Sequence, residues 1–256
     1  MSTASPSPRD AHKALATRQF AAISGGFRLI ATAVGLAIVL RTLVLEPFNI
    51  PSDSMLPTLA AGDYMLVAKW PYGVGRYSAP LALPWPEGRL GGNAPRRGDV
   101  VVFKTPRDNR TDFIKRLVGL PGDRVRMTGG QLEINGVMVP KVRSDDLVIP
   151  ADGTPCRRSG GGPRCRYPRF VETIDGRHYV VLDEIAGDPR DDTPLVTVPP
   201  AHYFVVGDNR DDSADSRLSI AEGGVGMVPA ANLIGRAQIV FFSTAPGGAA
   251  RIGTRP

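Results

Sequence analysis

Apolar and polar positions split the chain into a short N-terminal part and a long body. The chain opens polar and basic, with Arg9, Lys13 and Arg18 against Asp10, and then enters an uncharged apolar stretch, Leu29 to Leu40. As a helix, a run of that length reaches roughly 18 Å, short of a hydrocarbon core of about 30 Å. Extended over Phe20 to Leu45 the segment is long enough, but it then includes Arg28 and Arg41. Arginines near the ends of a span can turn back to the interface. A spanning helix, a buried core helix and a cleaved leader all fit this pattern. A leader needs a small-x-small exit, and Leu40 is followed instead by Arg-Thr-Leu-Val-Leu-Glu-Pro. The expectation is a tail over 1–27, an uncleaved transmembrane anchor over 28–46 and a body over 47–256. The basic tail predicts a cytoplasmic N-terminus and a body on the far side, in a periplasm or its equivalent.

Beyond Pro47 the pattern is that of strands and tight turns. Val100 to Phe103 follows an Arg97-Gly98-Asp99 turn, and Phe113 to Val118 is closed by Gly119 and Pro121-Gly122-Asp123. Val125 to Thr128, Gln131 to Ile134 and Val137 to Val139 are separated by Gly129-Gly130 and Asn135-Gly136. Two-residue turns of this kind match strand twist and predict a three-stranded meander. His178 to Leu182, His202 to Val206 and Gln238 to Phe242 read as further strands. No long segment after residue 60 keeps a helical period. The fold expected is mainly β, an antiparallel barrel or sandwich with few helices. The charged stretch Lys141 to Asp192 marks an inserted, smaller β subdomain at about 124–198. Pro71 to Arg97 reads as a loop that carries Tyr72, Tyr77, Leu81, Leu83 and Trp85. It either dips into a membrane interface or packs on the barrel.

Composition narrows the function classes. Over 256 residues, 42% are hydrophobic and 7% aromatic, which excludes wholesale disorder and leaves room for a core without metal or disulfide help. Two cysteines cannot build a four-cysteine zinc site, and His12, His178 and His202 are far apart, so no metal or cofactor is expected. The net charge of +6 comes from scattered Lys and Arg with no run of five, so a nucleic-acid partner is not expected. Cys156 and Cys165 sit in a Gly/Arg-rich loop. They pair in an oxidising compartment or remain two thiols.

No histidine stands where a Ser-His-Asp triad needs one. Three segments are more particular than packing requires: Pro51 to Leu59 (PSDSMLPTL), Asp112 to Asp123 (DFIKRLVGLPGD) and Gly207 to Arg217 (GDNRDDSADSR). A serine can be activated by a neutral lysine. A free lysine is about 0.04% neutral at pH 7, but at a pKa near 8 about a tenth is neutral. A catalytic lysine therefore belongs in an apolar strand, where burial disfavours the ammonium, and Lys115 occupies one. The alternative is that Lys115 pairs with an acid such as Asp112 or Asp215.

Together with Gly62 to Lys69 (GDYMLVAK) and Arg97 to Lys104 (RGDVVVFK), these segments stand in the order of the boxes of type I signal peptidases, and the chain resembles that family from the anchor to about Val240. The resemblance implies a membrane-anchored Ser/Lys endopeptidase that cleaves signal peptides of preproteins after a small-x-small site. It implies Ser54 as nucleophile and Lys115 as general base. The Ser54 N–H and the Ser52 hydroxyl would form the oxyanion hole, and Ser213 would orient Lys115. Asp208, Arg116, Asp215 and Arg217 would brace the third segment on the second. Ile50, Met55, Leu59, Phe113 and Ile114 would line shallow pockets, with barrel core as the other reading. The substrate would lie extended beside Pro47 to Ser54 and Asp112 to Lys115. Preprotein signal peptides and membrane lipid are the partners implied; metal and cofactor are not. The family commonly has Gly where this chain has Asp53, whose carboxylate is expected to face solvent; Asp212 replaces a common Asn, with little consequence expected. A maturation peptidase of the same fold and an inactive anchored β-barrel module are the alternative functions.

Overall fold

The computed structural model describes residues 26–36, 44–78, 88–150 and 164–256. Its largest sheet has seven strands, in the order Leu45–Asn49, Asp63–Ala68, Leu233–Ser243, Val100–Lys104, Asp112–Gly119, His202–Val206 and Val228–Pro229. Every neighbouring pair is antiparallel. The fold is thus mainly β, as the alternation predicted. The run Val100 to Phe103 is buried throughout, because the sheet is covered on both faces. Val100 and Val102 join Met65, Val67, Ile114 and Val240 on one face, while Val101 and Phe103 join Leu117, Val205 and Leu233 on the other.

The last strand is longer than Gln238 to Phe242. It runs over 11 residues, with register shifts against both neighbours. Such bulges bend a strand and let the sheet curl. Gly235 hid the extension in the sequence, since glycine interrupts a strand pattern. The structure explains the glycine: a Cβ there would lie 2.3 Å from the Ala68 carbonyl oxygen.

Between Arg124 and Thr197 the chain builds three smaller antiparallel sheets. The expected meander is present as Arg124–Thr128, Gln131–Ile134 and Val137–Met138, with Val196–Thr197 added as a fourth strand. Asn135 and Gly136 both have positive φ, the requirement of the turn read there. Lys141–Arg143, Arg169–Ile174 and Arg177–Leu182 form a second sheet, and Leu147–Pro150 pairs with Arg164–Tyr167. Val118, Phe204 and Val206 of the large sheet pack with Val125, Leu132 and Val181, so one core joins the two regions.

At the N-terminus residues 26–36 are helical and exposed throughout, including Phe27, Leu29, Ile30, Val34 and Leu36. Among the described residues no helix is long and apolar enough to cross a membrane. The expected anchor boundary needs one correction. Leu45 and Glu46 belong to the sheet, opposite Ala68 and Val67, and Glu46 pairs with buried Lys69 at 2.9 Å. In the Pro71 to Arg97 region, Tyr72 is buried and its hydroxyl donates to Asp99 at 2.9 Å, while Tyr77 packs on the core. That part packs on the sheet; Leu81, Leu83 and Trp85 lie outside the described residues. Cys165 is disulfide-bonded, and Cys156 lies outside the described residues.

Candidate active site

Ser54 sits in the loop between the edge strand Leu45–Asn49 and the strand Asp63–Ala68. Three apolar side chains of this loop, Ile50, Met55 and Leu59, are sunk into the core and fix its backbone. The Leu56 N–H closes a turn on the Asp53 carbonyl at 3.0 Å, and the Leu59 N–H bonds the Met55 carbonyl at 2.9 Å. Among the described residues the Ser54 N–H donates to no backbone oxygen. The Ser52 hydroxyl is 3.4 Å from the Ser54 hydroxyl. Asp53 is exposed, and its carboxylate accepts the Ala61 N–H at 2.9 Å, on the solvent side of the loop as expected. Its φ is not positive, so this turn does not require a glycine at that position.

Lys115 comes from the Asp112–Gly119 strand and is 4% exposed. Its Nζ is 2.7 Å from Ser54 Oγ, also donates to the Ile114 carbonyl at 3.0 Å, and lies 5.4 Å from the centre of the Phe113 ring. The carboxylate pairing considered for it does not occur. Asp112 pairs with Lys104 at 2.7 Å, and Asp215 pairs with Arg217 at 2.9 Å. Burial lowers the lysine pKa to about 8; the charges of Asp215, Asp208 and Asp212 oppose that shift and Arg217 reinforces it. At neutral pH a substantial fraction of Lys115 is then unprotonated and able to accept the Ser54 proton.

The third segment is clamped onto the other two. Arg116 grips Asp208 through Nε at 2.7 Å and Nη2 at 2.6 Å, and Thr58 of the Ser54 loop donates to the same carboxylate at 2.5 Å. Arg217 holds Asp215, which accepts the Gly207 N–H at 2.9 Å. Asp208, Arg116, Asp215 and Arg217 are thus joined in two ion pairs, the first linking the third segment to the second and the other within the third. Two further residues of the segment act on the Ser54 loop. The Asn209 N–H donates to the Ser54 carbonyl at 3.1 Å and its side chain to the Asp53 carbonyl at 3.2 Å. A Cβ on Gly207 would lie 2.2 Å from Ser213 Oγ and 2.6 Å from the Ser54 carbonyl oxygen, so only glycine lets the two loops meet.

Two expectations are corrected here. Ser213 is buried, but its hydroxyl makes no hydrogen bond to Lys115; it lies close enough to the Asp215 carboxylate to help keep it ionised. Of the proposed pocket residues, only Phe113 lines the open cleft of about 530 Å³ over Ser52, Ser54 and Lys115. Ile50, Met55, Leu59 and Ile114 belong to the core beneath it. The pleat carries the reason for Ile114: neighbours on a strand face opposite ways, so Phe113 and Lys115 share the cleft side and Ile114 does not. Asp212 also lines the cleft, and its charge opposes the lowering of the Lys115 pKa. Arg190, Leu218 and Glu222 complete the wall. No motif marked them, because they converge only through the fold.

Among the described residues the one convergent group of carboxylates is Asp183, Asp191 and Asp211, with oxygens within 4.8 Å of one another. Lys141 pairs with Asp183, Asp191 accepts the Gly187 and Asp188 N–H groups, and Asp211 accepts those of Glu184 and Ile185. These bonds make the cluster a joint between loops.

The family described as signal peptidase, peptidase S26 matches residues 24–242. Signal peptidase I of Rickettsia typhi is 35% identical over 218 residues, covering 82% of this chain and 76% of that protein. The Rickettsia conorii signal peptidase I is 35% identical over 223 residues, covering 84% and 77%. Among solved structures, a signal peptidase I from Enterococcus faecalis V583 has 28% identity, covering 56% of this chain and 97% of its own, with a TM-score of 0.31. The family match runs from residue 24 into the last long strand, so it takes in Ser54, Lys115 and the turn that clamps them: this chain belongs to the signal peptidase family, peptidase S26.

Proposed function

We propose that this chain is a membrane-anchored serine endopeptidase that removes signal peptides from exported preproteins after a small-x-small site. The observation that carries the reading is the 2.7 Å contact between Ser54 Oγ and a lysine whose pKa burial lowers to about 8. Neutral Lys115 takes the Ser54 proton as Oγ attacks the scissile carbonyl. The oxyanion is stabilised by the Ser54 N–H and the Ser52 hydroxyl. The Lys115 ammonium then protonates the leaving amine, and the regained neutral amine activates the water that frees the signal peptide from Ser54.

Substrate geometry follows from two open edges. Leu45–Asn49 is the end strand of its sheet. Along the Asp112–Gly119 strand, His202–Val206 pairs only with Arg116, Leu117 and Gly119, and among the described residues no strand pairs with that edge of Asp112 to Lys115. An extended peptide adding to these edges brings its carbonyl to Ser54. The exposed apolar helix at 26–36, ahead of a sheet that starts at Leu45, supports an anchor with the catalytic body outside the cytoplasm. The oxidised state of Cys165 fits such a compartment.

The test uses purified protein in detergent and a preprotein whose signal ends in Ala-x-Ala. Wild type cleaves after that site; Ser54→Ala and Lys115→Ala stay folded and do not, as read from the new N-terminus by mass. Cleavage by Lys115→Ala would remove the dyad. A wild type that ignores several such preproteins would point to a maturation peptidase with a narrower substrate.

A further inference from the structure

Arg190 lies between the strands Arg177–Leu182 and Val196–Thr197, outside every motif that carried the reading of the site. Asp188 fixes its guanidinium at two points, Nε to Oδ1 and Nη2 to Oδ2, both at 2.7 Å. A two-point grip sets the plane of the fork as well as its place. From that plane Nη2 donates to the Asp211 carbonyl at 2.7 Å and Nη1 to the Ser213 carbonyl at 3.3 Å. These carbonyls bracket Asp212, and the side chain of Arg190 lines the same cleft as Ser52, Ser54 and Lys115. Elsewhere the turn is held by Arg217, which donates to the Arg210 carbonyl at 2.5 Å, and by the Ile185 N–H on Asp211 at 2.8 Å. Neither of those bonds reaches Ser213; Arg190 does, while the Asp212 N–H donates to the Asn209 carbonyl at 3.1 Å.

We infer that Arg190 is a positioning residue for the reaction: held by Asp188, it pins the Asp211–Ser213 turn against the cleft so that the wall beside Lys115 keeps its shape and keeps water out. The inference rests on the Ser54–Lys115 reading and acts through Lys115. The groups facing Lys115 are Ser54 from the nucleophile loop, Asp208, Asp212, Asp215 and Arg217 from the third segment, and Phe113 on its own strand. Burial outweighs the charges in lowering its pKa. Loosening the turn wets the lysine and moves that pKa back up.

The experiment compares Arg190→Met, Arg190→Lys and Asp188→Asn with wild type in detergent, measuring kcat and KM across pH together with thermal melting. Arg190→Met should lower kcat at pH 7 about tenfold with KM within about twofold, and raise the midpoint of the pH profile by about half a unit or more. Arg190→Lys should recover part of kcat, since the charge remains but the fork does not. Asp188→Asn should move the midpoint the same way. Arg126→Met, which removes an ion pair with Glu133 away from the cleft, keeps the wild-type profile. An unchanged midpoint with kcat falling only in step with melting temperature would overturn the inference. So would a raised KM at unchanged kcat, which would make Arg190 a substrate contact. If Arg190→Met does not fold, Arg190→Lys and Asp188→Asn carry the same readout. Cleavage surviving Lys115→Ala in the same series would sink the dyad itself, independently of Arg190.

Discussion

Lys115 is where burial and the proposed catalysis meet in one residue. Its lowered pKa of about 8 means that the neutral base accumulates as pH rises. The profile of kcat/KM should climb about tenfold per pH unit below that value and flatten above it. Asp212→Asn removes a charge that opposes the shift, so it should move the rising limb to lower pH and speed cleavage at pH 7. The same burial costs stability. A lysine titrating near 10.5 unfolded and about 8 folded disfavours the native state below about pH 8, and the penalty fades as pH rises to 10.5. Lys115→Met should therefore be inactive and more stable at pH 7, by about 2–3 kcal/mol on denaturant unfolding, with the gain shrinking toward pH 10.5. Asp53→Gly should change cleavage by no more than a few-fold, about 1 kcal/mol of barrier, because the carboxylate is spent on the Ala61 N–H away from the oxyanion. A large gain in rate would show that Asp53 opposes the oxyanion.

The elements matter through how closely they approach. The turn after His202–Val206 meets the nucleophile loop at Gly207, where a methyl group has no room. Gly207→Ala should push Ser213 and the Ser54 carbonyl apart. Cleavage should fall about a hundredfold or more, with about 1–3 kcal/mol of stability lost to overpacking. The Arg116–Asp208 pair spans two elements and is almost sealed from water, at 4% and 0% side-chain exposure. Arg116→Met leaves Asp208 charged and buried, so it should cost about 3–5 kcal/mol, while Arg116→Met with Asp208→Leu should cost less than the single change. Urea titration of both variants decides between this and additive losses.

For the whole molecule, the exposed apolar helix stands apart from a sheet that starts at Leu45 and closes its own core. Removing residues 1–43 should release the protein from membranes while keeping hydrolysis of a soluble Ala-x-Ala peptide within a few-fold. Loss of peptide hydrolysis on truncation would show that the N-terminal segment also shapes the site.

Much of the fold was legible because it is local. Alternation marked the strands, and Gly129-Gly130 and Asn135-Gly136 marked the turns. The strand ahead of Gln238 was missed because Gly235 serves a close approach to Ala68, a partner far away in the chain. The proposed site was legible where chemistry demands particular residues in order: Ser54, Lys115, and the Asp208 and Asp215 turn. Its walls were not. Ile50, Met55 and Leu59 carry the same apolar character whether they face a core or a cleft, and only packing assigns them.

The sequence by itself determined a β body behind an apolar N-terminal segment, a serine and a strand-borne lysine, and the absence of any histidine placed to serve them. Local period, turn chemistry and residue type are sufficient for these, since each depends on neighbours along the chain. Tertiary structure decided that Ser54 and Lys115 touch, that burial outweighs nearby carboxylates in setting the lysine pKa, and that Arg190 reaches the Asp211–Ser213 turn. Distances and solvent exclusion are properties of segments far apart in the chain, and they exist only once the sheet has brought those segments together.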